Sequence, residues 1–298
     1  MGCSSERTVD KPPDKNKGYP LCRLSASLKV EVNSILALNS KVLILGGRNE
    51  LLSFNLNTND ISLISNDYKG RIYCLIKTPK GSVISGGQDK TIKIWDIENK
   101  KCINSLEGHT SAIWDISYIG NDKLISASDD NSSLIWDLKN KKHEILFKSK
   151  KNISSIVLLD NNRVLLAAGR NILLFNINTK EQMGVLDVSA WSLKLLKNGN
   201  VAVGLGKGYL YILEITDEIL VKLQFTKGHK KVINSIIELE NNKLVTYSDE
   251  NDLILWDVSE PESIYMIQGH TNMVTGLCLI EGNKFATVSF DNTLKIWE

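Results

Sequence analysis

The chain has 298 residues, 42% of them hydrophobic, and a formal net charge of +2. That length allows one large closed domain, and the near-neutral balance excludes bulk polyanion binding, so no nucleic-acid partner is expected. Five cysteines, at 3, 22, 74, 102 and 278, show no metal-type spacing and are odd in number. They fit reduced cytosolic thiols better than a disulfide frame or a zinc site.

Residues 1–19, MGCSSERTVDKPPDKNKGY, are polar, proline-interrupted and nearly devoid of anything to bury, and read as a flexible tail. The start Met1-Gly2-Cys3 looks like an N-myristoylation site on Gly2 with a palmitoylation site on Cys3, although Glu6 stands where Ser or Thr is usual. One myristoyl chain binds membranes marginally, and a second acyl chain makes the attachment durable. No apolar run approaches a membrane span and no secretory signal precedes the first element. The expected location is the cytosol, with attachment to the cytosolic face of a membrane through the tail.

The best-defined stretch of the remaining chain, residues 108–137, opens on Gly-His and closes on Trp-Asp. Between them lie three β-branched runs, 113–119, 123–128 and 132–137. Gly120-Asn121-Asp122 and Asp129-Asp130-Asn131 separate them, residues that tolerate the positive φ of tight hairpins, and a fourth run follows at 144–147. Such a four-stranded unit cannot hide its own apolar faces and must stack on copies of itself. Taking Trp136 as marker, the copies end at Phe54, Trp95, Trp136, Phe175, Leu213, Trp256 and Trp297, spaced 38 to 43 residues apart. The period and signature residues resemble the WD40 repeat family, over about residues 20–298. The resemblance is strong in the units ending at Trp95, Trp136, Trp256 and Trp297 and faint in the other three. It implies an all-β, seven-bladed propeller of four-stranded antiparallel blades, monomeric as a fold.

The sequence stops at Glu298, directly after the third strand of the last unit. Residues near Pro20–Ala26 are therefore predicted to supply its outer strand and close the ring, covering an edge that would otherwise invite pairing with another chain.

The family resemblance also implies a locking set in some blades: a chain from Trp136 through Ser126 and His109 to Asp130 in blade three. Blade seven repeats it with Trp297, Thr287, His270 and Asp291. Blade six has Trp256, Thr246 and His229, with Glu250 or Asp249 completing it. Blade two keeps Ser85, Asp89 and Trp95 but carries Tyr68 in place of histidine, and blades one, four and five lack the set. A buried indole N–H needs an acceptor, and an imidazole beside a carboxylate holds one tautomer, so these groups read as structural. His143, in the lysine-rich segment 139–142, reads as solvated. His109, Ser126 and Asp130 contain the letters of a hydrolase triad, but a serine inside a sheet beside Trp136 meets no electrophile. Gly204-Leu205-Gly206-Lys207-Gly208 lacks P-loop spacing and lies between strands. Neither a catalytic site nor a cofactor is expected.

What remains is surface recognition. By resemblance, the residue five positions after each histidine points toward the channel mouth, and the series is Asn33, Tyr73, Trp114, Ser154, Trp191, Asn234 and Thr275. A solvent-facing ring has no need of two tryptophans and a tyrosine, and exposed aromatics are common hot spots. Arg71 beside Tyr73, with Arg48, Arg170 and Lys207 in the short turns, adds positive charge. The expected partner is a peptide or protein domain bearing acidic or phosphorylated groups, docked over blades two, three and five. The alternative is that Trp114 and Trp191 pack between neighbouring blades. The expected role is a non-catalytic scaffold or adaptor. A phosphoinositide-binding propeller would want an Arg-Arg pair, which this chain lacks. A ubiquitin-ligase substrate receptor often shows arginine two residues after Trp-Asp, where this chain has Glu98, Lys139 and Ser259.

Overall fold

The computed structural model describes residues 20–215, 220–259 and 264–298, with the backbone alone for 220–225. Gly2, Cys3 and the rest of the predicted tail lie outside the described residues. The described strands form seven antiparallel sheets of four, six of them meanders of consecutive strands. Blade one comprises β2 (Val32–Asn39), β3 (Val42–Gly47), β4 (Leu51–Asn55) and β5 (Ile61–Ser65). Blade two is β6 (Ile72–Lys77), β7 (Val83–Gly87), β8 (Ile92–Asp96) and β9 (Lys101–Leu106). Blade three is β10 (Ile113–Gly120), β11 (Lys123–Ser128), β12 (Ser132–Asp137) and β13 (Lys142–Lys148). Blade four holds β14 (Ile153–Leu158), β15 (Arg163–Ala168), β16 (Asn171–Asn176) and β17 (Gln182–Asp187). Blade five holds β18 (Ala190–Leu195), β19 (Val201–Leu205), β20 (Tyr209–Ile215) and β21 (Leu220–Lys227). Blade six holds β22 (Ile233–Glu238), β23 (Lys243–Ser248), β24 (Leu253–Asp257) and β25 (Ile264–Ile267).

Blade seven is β26 (Val274–Glu281), β27 (Lys284–Ser289) and β28 (Thr293–Trp297), completed by β1 (Cys22–Ser27). β1 runs antiparallel to β28, with Leu24 opposite Ile296 and Ala26 opposite Leu294. Leu21 and Glu298 exchange backbone hydrogen bonds at 2.9 and 3.1 Å, and the Leu28 amide donates to the Asn292 carbonyl at 2.7 Å. The predicted closure by residues near Pro20–Ala26 is therefore present, with the strand starting two residues later and ending one residue later. Since Asn292 lies in the turn between β27 and β28, β1 climbs toward that turn and begins at the opposite face of the ring.

The buried side chains fall into seven clusters, one between each pair of neighbouring blades. The first joins Leu28, Val288 and Ile296 of blade seven to Val32, Leu43 and Phe54 of blade one. The next six seal blades one–two, two–three, three–four, four–five, five–six and six–seven. All seven marker residues are buried, including the non-tryptophan Phe54, Phe175 and Leu213. The hairpin prediction at Asn121-Asp122 holds: both have positive φ, 51° and 55°, as a two-residue type I′ turn requires.

Polar bonds between inner strands supplement the apolar seams. Ser34 donates to the Ile72 carbonyl at 2.9 Å, Ser192 to that of Ile233 at 2.8 Å, and Thr275 to that of Val32 at 2.6 Å. At the position of Ser34 and Ser192, blade three carries the part-buried Asp115. It accepts from the Ser155 hydroxyl at 3.0 Å and the Ile156 amide at 2.8 Å, both of blade four. Ser155 in turn accepts from the Leu193 amide of blade five at 3.2 Å. Burial pushes the Asp115 carboxyl up to about 6 despite these donors.

Starting the chain at residue 28 removes β1 and opens the blade seven–blade one seam. The thermal midpoint should fall by on the order of 10 °C or more, whereas starting at residue 18 should leave it in place. Differential scanning fluorimetry of the two truncations decides, and equal midpoints would refute the closure.

Candidate interaction face

The face of interest carries the loops leading into each blade and the turns between second and third strands. On it the inner strand of every blade departs from regular pairing in the same way. The register shifts between Val32 and Ser34, Ile72 and Cys74, Ile113 and Asp115, Ile153 and Ser155, Ala190 and Ser192, Ile233 and Ser235, and Val274 and Gly276. The residue skipped each time is Asn33, Tyr73, Trp114, Ser154, Trp191, Asn234 or Thr275. A bulge frees a residue from the ladder and re-aims its side chain. The seven rim positions are thus seven bulges, a feature no periodicity in the sequence revealed.

The rim aromatics differ from one another. Tyr73 and Trp114 stack across blades two and three, with ring centroids 4.5 Å apart and planes 18° from parallel. Both are half-buried, and the Trp114 indole N–H is covered without a hydrogen-bond partner. Trp191 is 42% exposed. Its indole nitrogen lies 3.4 Å from where a Cβ on Gly206 would stand, so the ring leans on the Gly206-Lys207-Gly208 turn. Packing between neighbouring blades therefore describes Trp114 and not Trp191.

The cations divide too. Arg71 is held by Glu31 at 2.8 Å and lies over the Phe290 ring at 5.7 Å, so its charge is neutralised locally. Arg48, Arg170 and Lys207 are exposed, and their side chains make no ion pair among the described residues. Lys151 packs over Gly169, and Ser189 donates to the Gly169 carbonyl at 3.3 Å. These contacts place Lys151 and Ser189 against the Arg170 turn of blade four, and Trp191 against the Lys207 turn of the neighbouring blade five.

In blades three, six and seven the turn acid is occupied. Trp136 donates its indole N–H to Ser126 at 2.7 Å, and Ser126 lies 2.6 Å from His109 Nε2. His109 Nδ1 is 2.7 Å from Asp130. Trp297, Thr287, His270 and Asp291 repeat the chain at 2.8, 2.7 and 2.8 Å. In blade six Trp256, Thr246 and His229 run on to Glu250 at 2.8, 2.8 and 3.0 Å, while Asp249 turns away to accept from Asn234 at 2.7 Å. Burial lowers all three histidines below the usual imidazole range even though their acids oppose it, so each imidazole is neutral and its Nδ1–H donates to the acid. Partial burial pushes the Asp291 carboxyl upward, but donors from Thr293, the Thr271 amide and His270 outweigh it and hold it at about 2.

Blade two replaces the imidazole by a different device. Trp95 still donates to Ser85 at 2.8 Å, but Tyr68 is buried beneath the Lys93 ammonium, 4.0 Å above its ring, and Lys93 pairs with Asp89. The remaining histidine, His143, is exposed as expected, and one side of its ring packs on Trp136 with centroids 4.9 Å apart.

The WD domain, G-beta repeat family matches residues 62–96, 100–137 and 261–298. The chain is a seven-bladed propeller carrying three WD40 repeats. The unit ending at Trp256 is not among those matched, despite its complete Trp256–Thr246–His229–Glu250 chain. The solved WD40 propeller domain of Doa1 superposes with a TM-score of 0.82 at 14% identity, covering 95% of this chain and 97% of that one. A zebrafish (Danio rerio) p21-activated protein kinase-interacting protein 1-like is 24% identical over 197 residues, 64% of this chain and 54% of that protein. The general transcriptional corepressor TUP1 of Saccharomyces cerevisiae is 40% identical over 65 residues, 22% of this chain and 9% of that protein. The chain thus spans about half of the first relative and a small part of the second. WD40 propellers generally bind protein partners and are generally non-catalytic.

Ser126→Ala would leave the buried Trp136 N–H without an acceptor and His109 without its hydroxyl partner. Equilibrium unfolding should show a loss of about 2–3 kcal/mol. A loss below about 0.5 kcal/mol would show that the hydrogen-bond chain contributes little.

Proposed function

We propose that this WD40 propeller is a non-catalytic scaffold that docks a protein or peptide partner on the face of the lead-in loops. The observation that carries the reading is Trp191: a large aromatic, 42% exposed, thrust onto the rim by a bulge and backed by the Gly206-Lys207-Gly208 turn. A half-open tryptophan beside a flexible cation offers the apolar anchor and charged surround of an interface hot spot. The Tyr73–Trp114 stack supplies a second apolar footing across the mouth. The free cations Arg48, Arg170 and Lys207 favour a partner with acidic or phosphorylated groups. Three of the four histidines are committed to neutral structural chains, which removes the commonest general bases from catalysis.

Acylation of Gly2 and Cys3 would tether the scaffold to the cytosolic face of a membrane. β1 begins at the face opposite the lead-in loops, which supports an arrangement in which the tether leaves on one side and the partner sits on the other.

Trp191→Ala touches no core seam, so its melting midpoint should stay within about 2 °C of the parent. Capture of the partner from native cells should fall about 10-fold or more, as expected for a hot spot. An undiminished partner list would refute the site. For the tether, a clickable myristate analogue should label the parent and not Gly2→Ala; absence of label on the parent refutes it.

A further inference from the structure

The sector around Trp191 differs electrically from the rest of its face. Blades two, three, six and seven carry an acid in the turn between second and third strands, each engaged by a neighbouring side chain: Asp89 by Lys93, Asp130 by His109, Glu250 by His229 and Asp291 by His270. Blades four and five carry Gly169-Arg170-Asn171 and Gly206-Lys207-Gly208 instead. Lys150 and Lys151 lead into blade four. The one acid bordering these turns is Asp187, opposite Asn171 in the β16–β17 register, and it forms no ion pair among the described residues. Blade one also has a cationic turn, but Arg48 bridges through its backbone to Arg71, whose own charge Glu31 neutralises.

The turn of blade five also offers unspent donors. In blades one, two, three, four and seven a turn amide donates back to the lead-in loop: Arg48 to Glu31, Gln88 to Arg71, Asp129 to Ala112, Gly169 to Asn152 and Phe290 to Met273. The equivalent Gly206 amide, like that of Asp249 in blade six, makes no such bond, and the Trp191 indole nitrogen beside Gly206 has no partner among the described residues. At the blade-five turn the Trp191 indole N–H and the Gly206 amide lie together beside the exposed Lys207, with the exposed Arg170 turn on the neighbouring blade. Donors without acceptors favour an anion with several oxygens, and a dianion interacts with each cation about twice as strongly as a carboxylate does.

We infer that the turns of blades four and five seat a phosphorylated segment of the protein partner, its phosphate between Arg170 and Lys207 and its chain against the Trp191 ring. This rests on the docking face proposed above and narrows its ligand.

The test uses the purified full chain on an array of synthetic peptides, each present with phosphoserine, serine or glutamate at its centre. Binding should concentrate on phosphoserine spots, with at least a 10-fold preference over the serine and glutamate forms in solution. Arg170→Glu and Lys207→Glu should each abolish that preference, while Arg48→Glu keeps it, all three with unchanged melting midpoints. Equal binding of the three forms, no binding to any spot, or retention in Lys207→Glu would overturn the inference. So would binding to phosphatidylcholine vesicles containing a phosphatidylinositol monophosphate in place of the peptides. Phosphatase treatment of the lysate separates the two levels. Partner capture that survives it but is lost in Trp191→Ala refutes the phosphate alone, and capture that ignores Trp191→Ala refutes the face itself.

Discussion

Two apolar faces per blade, and only one blade's worth of residues to cover them, is the condition that everything else in this molecule satisfies. Each seam buries side chains of two neighbouring sheets, so no sheet is stable until both neighbours are present, and the row of sheets has no stable end. The β1–β28 ladder removes the ends by building one blade from both parts of the chain. The carbonyl-directed bonds of Ser34, Ser192 and Thr275 then pin adjacent inner strands at the same height.

Within that ring the blades use their turns in two ways. Where a turn acid is present it is committed inward, holding a neutral histidine that accepts from the hydroxyl beneath the buried tryptophan, or in blade two a lysine over a tyrosine. Where the acid is missing, the turn is free to face solvent and carries a cation. The loss of a structural lock and the gain of an exposed charge thus occur together in blades four and five. Asp115 compensates on the inner rim. Its carboxylate accepts two donors from blade four, and through Ser155 the connection reaches blade five, so the unlocked pair is fastened along its channel side.

Much of the fold was legible because it repeats. Trp136 and its equivalents, with Asn and Asp at the hairpins, fix strand number and blade count even where the marker is Phe175 or Leu213. Closure by residues near 20–26 followed from counting strands. The rim was harder to read. Strand alternation places every second residue on one face, and the bulges at Asn33 through Thr275 break it at the positions that matter. Nor does residue type distinguish Trp114, stacked on Tyr73, from Trp191, which stands open. Arg71 looked like Arg48 and Lys207 in the sequence, because its counter-ion Glu31 sits in a different blade. Glu250 and Asp249 were equivalent candidates until Asn234 claimed one of them. Each of these distinctions depends on a partner elsewhere in the chain, 15 residues away for Asp249 and about forty for Arg71 and Trp114, or on one slipped ladder rung.

The exchange of hydrogen bonds between Leu21 and Glu298 also means that the ring has no privileged starting point. A few residues joining those two positions would make the backbone continuous there, and the exposed turn at Gly81, which has open space around it, could serve as the new break. A circularly permuted chain of that kind would keep all seven seams and present its termini elsewhere on the rim. The order in which the blades are written is therefore incidental to the architecture, and only their cyclic sequence is constrained.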